Sequence, residues 1–359
     1  MAQKYYLRFI QFIIKSLVKN LINQQNNIPH WFSQLLDLRL PLNNKQTFDL
    51  NGTCLCLDNG VLRATTVMSE NQKQTEQVFG FKWHQMDSFE SQASQEMIQK
   101  WSNERYIEAV KWFPLQDQPY TVLDAGCGAA FTGLQYFRPI LNRIRYIGVD
   151  ISDAVDVAKA RLQQAGADAA FMQCDLTRLP LPHCSIDAIF SEGVLHHTDS
   201  TRGAILSLAP LLKSGGLFMF YVYRRKGPIR EFTDDFIRDK MQSMTPEEGW
   251  RAMESITRLG KLLGELDIEL NIPERIEFLD IDAGQINLQR FFYWHILKCF
   301  YRSEYSLDEM NHINFDWFAP KNAFRQSPEE VRVWCREAGL DILHENVQEA
   351  GITIVARKD

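Results

Sequence analysis

The sequence predicts an α/β fold, an open and mostly parallel sheet with helices on both faces and an antiparallel hairpin at its end. Three observations carry that expectation. Val122 to Ala125 is an apolar run ending in the glycine turn Gly126-Cys127-Gly128, and a helix-forming stretch leads on to a second apolar run, Tyr146 to Val149, that closes on Asp150. Ala169-Ala170-Phe171-Met172-Gln173-Cys174-Asp175 repeats the pattern of a buried strand delivering an acid. At the carboxyl end, Asp341 to Val347 and Ile352 to Arg357 read as two short strands joined tightly at Glu349-Ala350-Gly351. Strands alternating with helices build a parallel sheet, and the ligand crevice lies outside the carboxyl ends of its strands.

Taken in chain order, residues 1–22 read as an amphipathic helix, with Lys4, Arg8, Gln11, Lys15 and Lys19 on one side and Leu7, Ile10, Ile14, Leu17 and Leu21 on the other. Within a segment spanning residues 1–37, it suits packing on its own domain, dimerisation, or peripheral contact with an anionic membrane. Its charges forbid a bilayer span.

Residues 38–83 look like a small β-rich module, with short alternating segments broken by Asn51-Gly52 and Asn59-Gly60. Residues 84–118 look helical, with Met97, Ile98, Trp101, Tyr106, Ile107, Val110 and Trp112 as apolar positions, and suit a cover over the ligand site.

The main domain is expected over 119–223 and 327–359. Its fourth strand is Ser185 to Ser191, followed at the ligand edge by Glu192-Gly193-Val194-Leu195-His196-His197. Ser327-Pro328-Glu329-Glu330 opens a capped helix that stops at Gly339.

Residues 224–326 are too many for a connection in a compact fold and are expected to form a lid or substrate insertion. Helical stretches fall near 229–242 and 246–266, followed by the aromatic run Phe291-Phe292-Tyr293-Trp294-His295. With Glu304, Asp308, Glu309 and Asp316 nearby, the pattern suggests an enclosed pocket for an aromatic or cationic group.

The glycine turn narrows the ligand. A dinucleotide fingerprint places a third glycine where Phe131 stands, and Asp124 at the mouth of the first strand suits a cation better than a pyrophosphate. The segment Asp124-Ala125-Gly126-Cys127-Gly128, with Asp150, Asp175 and the terminal hairpin, resembles the class I S-adenosylmethionine-dependent methyltransferase family, whose first motif has the form D-x-G-x-G.

That resemblance covers about residues 120–223 and the last thirty or so. It implies a Rossmann-like seven-stranded sheet and S-adenosylmethionine as cofactor, with Asp150 on the ribose hydroxyls and Asp175 on the adenine amino group. The cofactor site would comprise Asp124, Gly126, Cys127, Gly128, Asp150, Ile151, Cys174, Asp175, Leu176, Ser191, Glu192 and Gly193. Tyr106 could reach the cofactor carboxylate or serve the core.

For a base, His196 and His197 at the ligand edge are the first candidates, then His295 and Tyr293, with His312 and Asp316 behind them; positioning without a base is the alternative. The implied reaction is methyl transfer to oxygen or nitrogen of a small metabolite or peptide natural product. The alternative is a scaffold that keeps the fold without turnover.

The β-rich module also resembles a zinc-ribbon-type leader, but Cys54 and Cys56 are its only cysteines and no C-x-x-C knuckle occurs, so no metal is expected. Seven cysteines and no evident secretory leader suit a reducing cytoplasm. A formal charge of −6 argues against nucleic acid as a partner.

Overall fold

A computed structural model describes residues 28–65, 68–85, 89–114 and 118–359. The amphipathic pattern of residues 1–22 lies outside them. Among the described residues twelve strands are defined: β1 (Thr47–Leu50), β2 (Thr53–Asp58), β3 (Val61–Ala64), β4 (Tyr120–Ala125), β5 (Ile144–Asp150), β6 (Ala169–Gln173), β7 (Ile186–Glu192), β8 (Leu212–Tyr223), β9 (Glu269–Ile272), β10 (Gly284–Asn287), β11 (Leu340–Val347) and β12 (Gly351–Lys358).

Ten of them form one sheet in the order β1-β2-β3-β6-β5-β4-β7-β8-β12-β11. From β3 to β8 neighbouring strands run parallel, while β12 enters antiparallel to β8 and β11 antiparallel to β12. This is the Rossmann-like α/β sheet with its antiparallel terminal hairpin. The reversal of order at β4, between β5 and β7, is where a crevice opens.

Alternation along the strands makes the core two layers. Leu123, Ala125, Ile147, Val149, Ile189 and Phe218 pack into one apolar cluster, and their neighbours Val122, Tyr146, Ala188, Phe190 and Met219 into the other. Both faces must therefore be covered by helices, as parallel sheets require.

The amino-terminal strands are not a separate module. β3 pairs parallel with β6, Val61 opposite Phe171, so the β1–β3 meander extends the main sheet and removes what would otherwise be an exposed edge at β6. Leu55, Leu57, Val61 and Leu62 are buried there. In place of a ribbon, Cys54 is exposed and Cys56 half-buried on β2, and no cluster of three or more His, Cys, Asp or Glu is placed to hold a metal ion among the described residues.

Val78 to Trp83, assigned to the β-rich module, are helical. Ser69 accepts a hydrogen bond from the Gln72 amide and opens the helix Glu70–His84. Residues 84–118 contain the helices Gln92–Tyr106 and Ala109–Trp112. No helix among the described residues is long and apolar enough to cross a membrane.

The insertion is built from the helices Pro228–Met241, Pro246–Glu265 and Leu307–Phe318, a β9–β10 hairpin, and a π-helical turn, Phe292–Ile296. Three of these pieces meet at one buried ion pair. Arg230 (1% exposed) holds Asp234 (0%) at 2.8 Å, the Arg230 guanidinium also donates to the Tyr293 carbonyl, and Asp234 accepts from Trp317 Nε1 at 2.7 Å. A pair this dry persists because hydrogen bonds beyond the pair itself support both partners.

Candidate active site

The carboxyl ends of β4 to β7 open into a cavity of about 610 Å³, with Gly126, Asp150, Ile151, Asp175, Leu176, Glu192 and Gly193 on its strand side. Gly126 must be glycine: its φ is +85°, and a Cβ there would stand 2.2 Å from Val194 Cγ1. The amides of Gly126 and Cys127 both donate to the Val149 carbonyl at 2.8 Å, which ties the turn to β5.

Asp150 is held by the glycine turn and by its own loop. Its Oδ2 accepts from the Gly128 amide at 2.8 Å and its Oδ1 from the Ser152 amide at 2.9 Å and hydroxyl at 2.7 Å. Burial raises its pKa, and these bonds counter the rise. Asp175 accepts from the Thr177 amide and hydroxyl at 2.8 Å on Oδ1, which leaves Oδ2 for a ligand. Two acids on adjacent strand ends, with Ile151 and Leu176 beside them, match the hydroxyl donors, amino donor and flat apolar faces of an adenosine.

Five of the residues expected to touch the cofactor serve the wall from behind. Asp124 turns under the glycine turn: it accepts from Tyr146 Oη, and a Cβ at Gly133 would meet its Oδ2 at 2.2 Å. Gly133 is thus room for Asp124, and burial pushes the Asp124 pKa up to about 7 despite the Tyr146 bond. Asp124 is buried and does not line the cavity, so it is not placed to meet a ligand's cation directly.

Cys127 is packed in the core below Gly148. Gly128 lies under the Trp83 indole, which would stand 2.6 Å from an added Cβ. Cys174 points into the core, where burial lifts its thiol to about 12, and Ser191 donates to the Ala125 carbonyl at 2.8 Å, joining β7 to β4. Glu192 does line the cavity, but its oxygens are engaged by Arg105 and by Tyr106 Oη. Tyr106 itself is fully buried, so it serves the core and Glu192.

The base candidates separate cleanly. His197 lines the cavity; its Nδ1 lies 2.6 Å from the Asn322 carbonyl, which fixes Nδ1 as the protonated nitrogen and leaves Nε2 a buried acceptor with no partner. Burial lowers its pKa to about 4, so it is neutral over the ordinary pH range and not poised near neutrality.

His196 sits away from the cavity, its ring 3.7 Å from that of Tyr223, and burial with neighbouring His197 drives its pKa well below the usual histidine value. His295 also lies off the cavity, packed against Phe291 at 5.4 Å. Tyr293 does line the cavity, but burial raises its pKa, which makes it a poor base.

The charge on the insertion side reverses the expectation from sequence. Of the four acids only Asp316 reaches the cavity, and it is paired with Lys82 from the helix Glu70–His84. Burial alone would raise the Asp316 pKa, but Lys82, His197 and Lys298 together hold it well below the carboxylate range. Glu309 is spent on Ser91, Ser94 and the Ser306 amide. Lysines and arginines line this wall instead, Lys226, Lys298 and Arg302 among them. Nothing local marks Lys82, which lies 234 positions from Asp316; the one available signal was its place in the Phe81-Lys82-Trp83 aromatic segment.

Comparison with known proteins agrees with the strand-side geometry. Residues 123–220 match a family model described as a methyltransferase domain. The chain carries a class I S-adenosylmethionine-dependent methyltransferase domain.

The uncharacterized methyltransferase Rv0089 of Mycobacterium tuberculosis is 33% identical over 123 residues, 33% of this chain and 59% of that protein. The uncharacterized methyltransferase YcgJ of Bacillus subtilis is 33% identical over 147 residues, 39% of this chain and 57% of that one. The chain thus spans under two thirds of these relatives. A crystal structure of a Burkholderia thailandensis 1,6-didemethyltoxoflavin-N1-methyltransferase aligns over 87% of this chain and 99% of its own, at 13% identity and a TM-score of 0.44.

Proposed function

We propose that the protein is an S-adenosylmethionine-dependent methyltransferase acting on oxygen or nitrogen of a small molecule, a metabolite or compact peptide natural product, enclosed between the methyltransferase domain and the insertion. The observation that carries the reading is that one cavity has Asp150 and Asp175 on one wall and the insertion's side chains on the other. Bound there, S-adenosylmethionine would supply an electrophilic methyl group.

The chain's own contribution is placement. Asp150 and Asp175 hold an adenosine at the strand ends, and the Lys82–Asp316 pair ties the helix Glu70–His84 to the insertion beside the cavity. Holding two reactants in line is worth roughly 7–11 kcal/mol. His197 lines the cavity with its Nδ1 committed to the Asn322 carbonyl, so its unpartnered Nε2 is the nitrogen left to accept a hydrogen bond; its low pKa makes it an orienting acceptor more than a strong base.

Calorimetric titration with S-adenosylhomocysteine tests the reading. The full chain binds it, and Asp150→Ala weakens binding by about a hundredfold, roughly the 2.7 kcal/mol expected for two lost hydrogen bonds to a charged group. No binding by the unaltered chain, or binding indifferent to Asp150→Ala, would sink it.

A further inference from the structure

The insertion contributes five cations to the cavity, Lys226, Arg230, Arg290, Lys298 and Arg302, against the single acid Asp316. Arg230 is matched by Asp234, and Asp316 by Lys82. The remaining four have no carboxylate at ion-pair distance among the described residues. Lys226 donates to the carbonyls of Arg224 and Ala350, at 2.7 and 3.0 Å.

Lys298 is the least reconciled. It is 6% exposed, it makes no hydrogen bond to a described residue, and its ammonium stands 4.5 Å from the Trp317 ring centre. Arg302 keeps a buried Nε without a partner, and Arg290 lies over the Tyr293 ring at 5.5 Å. A desolvated cation is strongly unfavourable unless something pairs with it.

S-adenosylmethionine does not supply the pairing, since it brings one carboxylate against an ammonium and a sulfonium. Nor do the acids of the other wall: Asp150 and Asp175 accept from Gly128, Ser152 and Thr177, Glu192 belongs to Arg105, Glu104 lies 3.8 Å from Lys100, and Glu349 is exposed.

Resting on the methyltransferase reading, we infer that the methyl acceptor is a compact organic anion, whose carboxylate or phosphate seats against Lys298 with Arg290 and Arg302 beside it. The apolar body of such a molecule lies along Tyr293 and Trp317, whose rings already face these cations. Burial holds the Lys298 pKa down to about 7, and an anion beside it would raise it again.

The test is calorimetry on the full chain saturated with S-adenosylhomocysteine, titrated with benzoate, phenyl phosphate and neutral benzamide. At least one anion binds about tenfold or more tightly than benzamide, and the contrast between the two anions tells carboxylate from phosphate. Lys298→Met brings that preference to within about twofold and leaves S-adenosylhomocysteine affinity unchanged. Should Lys298→Met not fold, Arg290→Gln at its half-buried site lowers the same preference by about threefold or more.

Anions that bind no better than benzamide to the loaded chain, or a preference that survives substitution, would overturn the inference. A chain that does not bind S-adenosylhomocysteine at all overturns the methyltransferase reading, and this one with it.

Discussion

The strand-end wall and the insertion wall of the cavity differ in charge and in how far along the chain their partners lie. Asp150 takes its bonds from Ser152, two positions on, and from Gly128, 22 positions back in the same strand-helix-strand unit, and Asp175 takes its bonds from Thr177, two positions on. Lys82 finds Asp316 and Arg230 finds the Tyr293 carbonyl only through tertiary packing. A wall made of local turns is prepared by its own loops; a wall made of distant pairs exists only while the insertion is packed. Cofactor binding should therefore survive damage to the insertion that acceptor binding does not.

The sharpest break between the walls is Asp234→Ala. It strands Arg230 without a counter-charge and removes the acceptor of Trp317 Nε1, so denaturant unfolding should show a loss of about 3–5 kcal/mol while S-adenosylhomocysteine affinity changes little. An equal loss of cofactor affinity would mean that the walls are not independent.

At the seam, His197→Gln should lower kcat by about tenfold to a hundredfold, toward the lower end of general-base effects, with cofactor affinity intact. Because the His197 pKa is already near 4, the activity of the unaltered protein should show no limb from this residue between pH 5 and 8.

Stability against pH probes the buried histidines. His196, His197 and His312 are all held below 6.5, His197 at about 4 and His312 at about 3, chiefly by burial. Below pH 6.5 the unfolded chain takes up protons that the folded chain refuses, so these groups lower stability as pH falls. Each contributes about 1.4 kcal/mol per pH unit in that window, and thermal unfolding between pH 7 and 5 should follow the fall. The smallest effect belongs to the strand wall: Ser191→Ala loses the bond to the Ala125 carbonyl and should cost about 1 kcal/mol by denaturant unfolding.

What was legible in the sequence follows the same division. The glycine turn, Asp150, Asp175 and the terminal hairpin were readable because a strand, its turn and the acid beyond it are contiguous. Asp124 was read in the right motif with the wrong direction, since nothing in the linear pattern shows that Gly133 makes room for its carboxylate.

The insertion's helices were legible from their periodicity, as Pro228–Met241 and Pro246–Glu265 show. The polarity of its pocket was not, because Glu309 caps its own helix and bonds Ser91 while Lys298 turns inward, and composition cannot tell those fates apart. The β3–β6 pairing was equally hidden, as it joins Val61 to Phe171 across more than a hundred residues.

The central claim is that one cavity holds a cofactor on acids and an acceptor on cations. A crystal structure of the chain with S-adenosylhomocysteine tests it most directly. The account predicts adenosine between Asp150 and Asp175, with the sulfur facing the space bounded by His197, Tyr293 and Lys298. Adenosine bound elsewhere, or a sulfur turned away from that space, would contradict it.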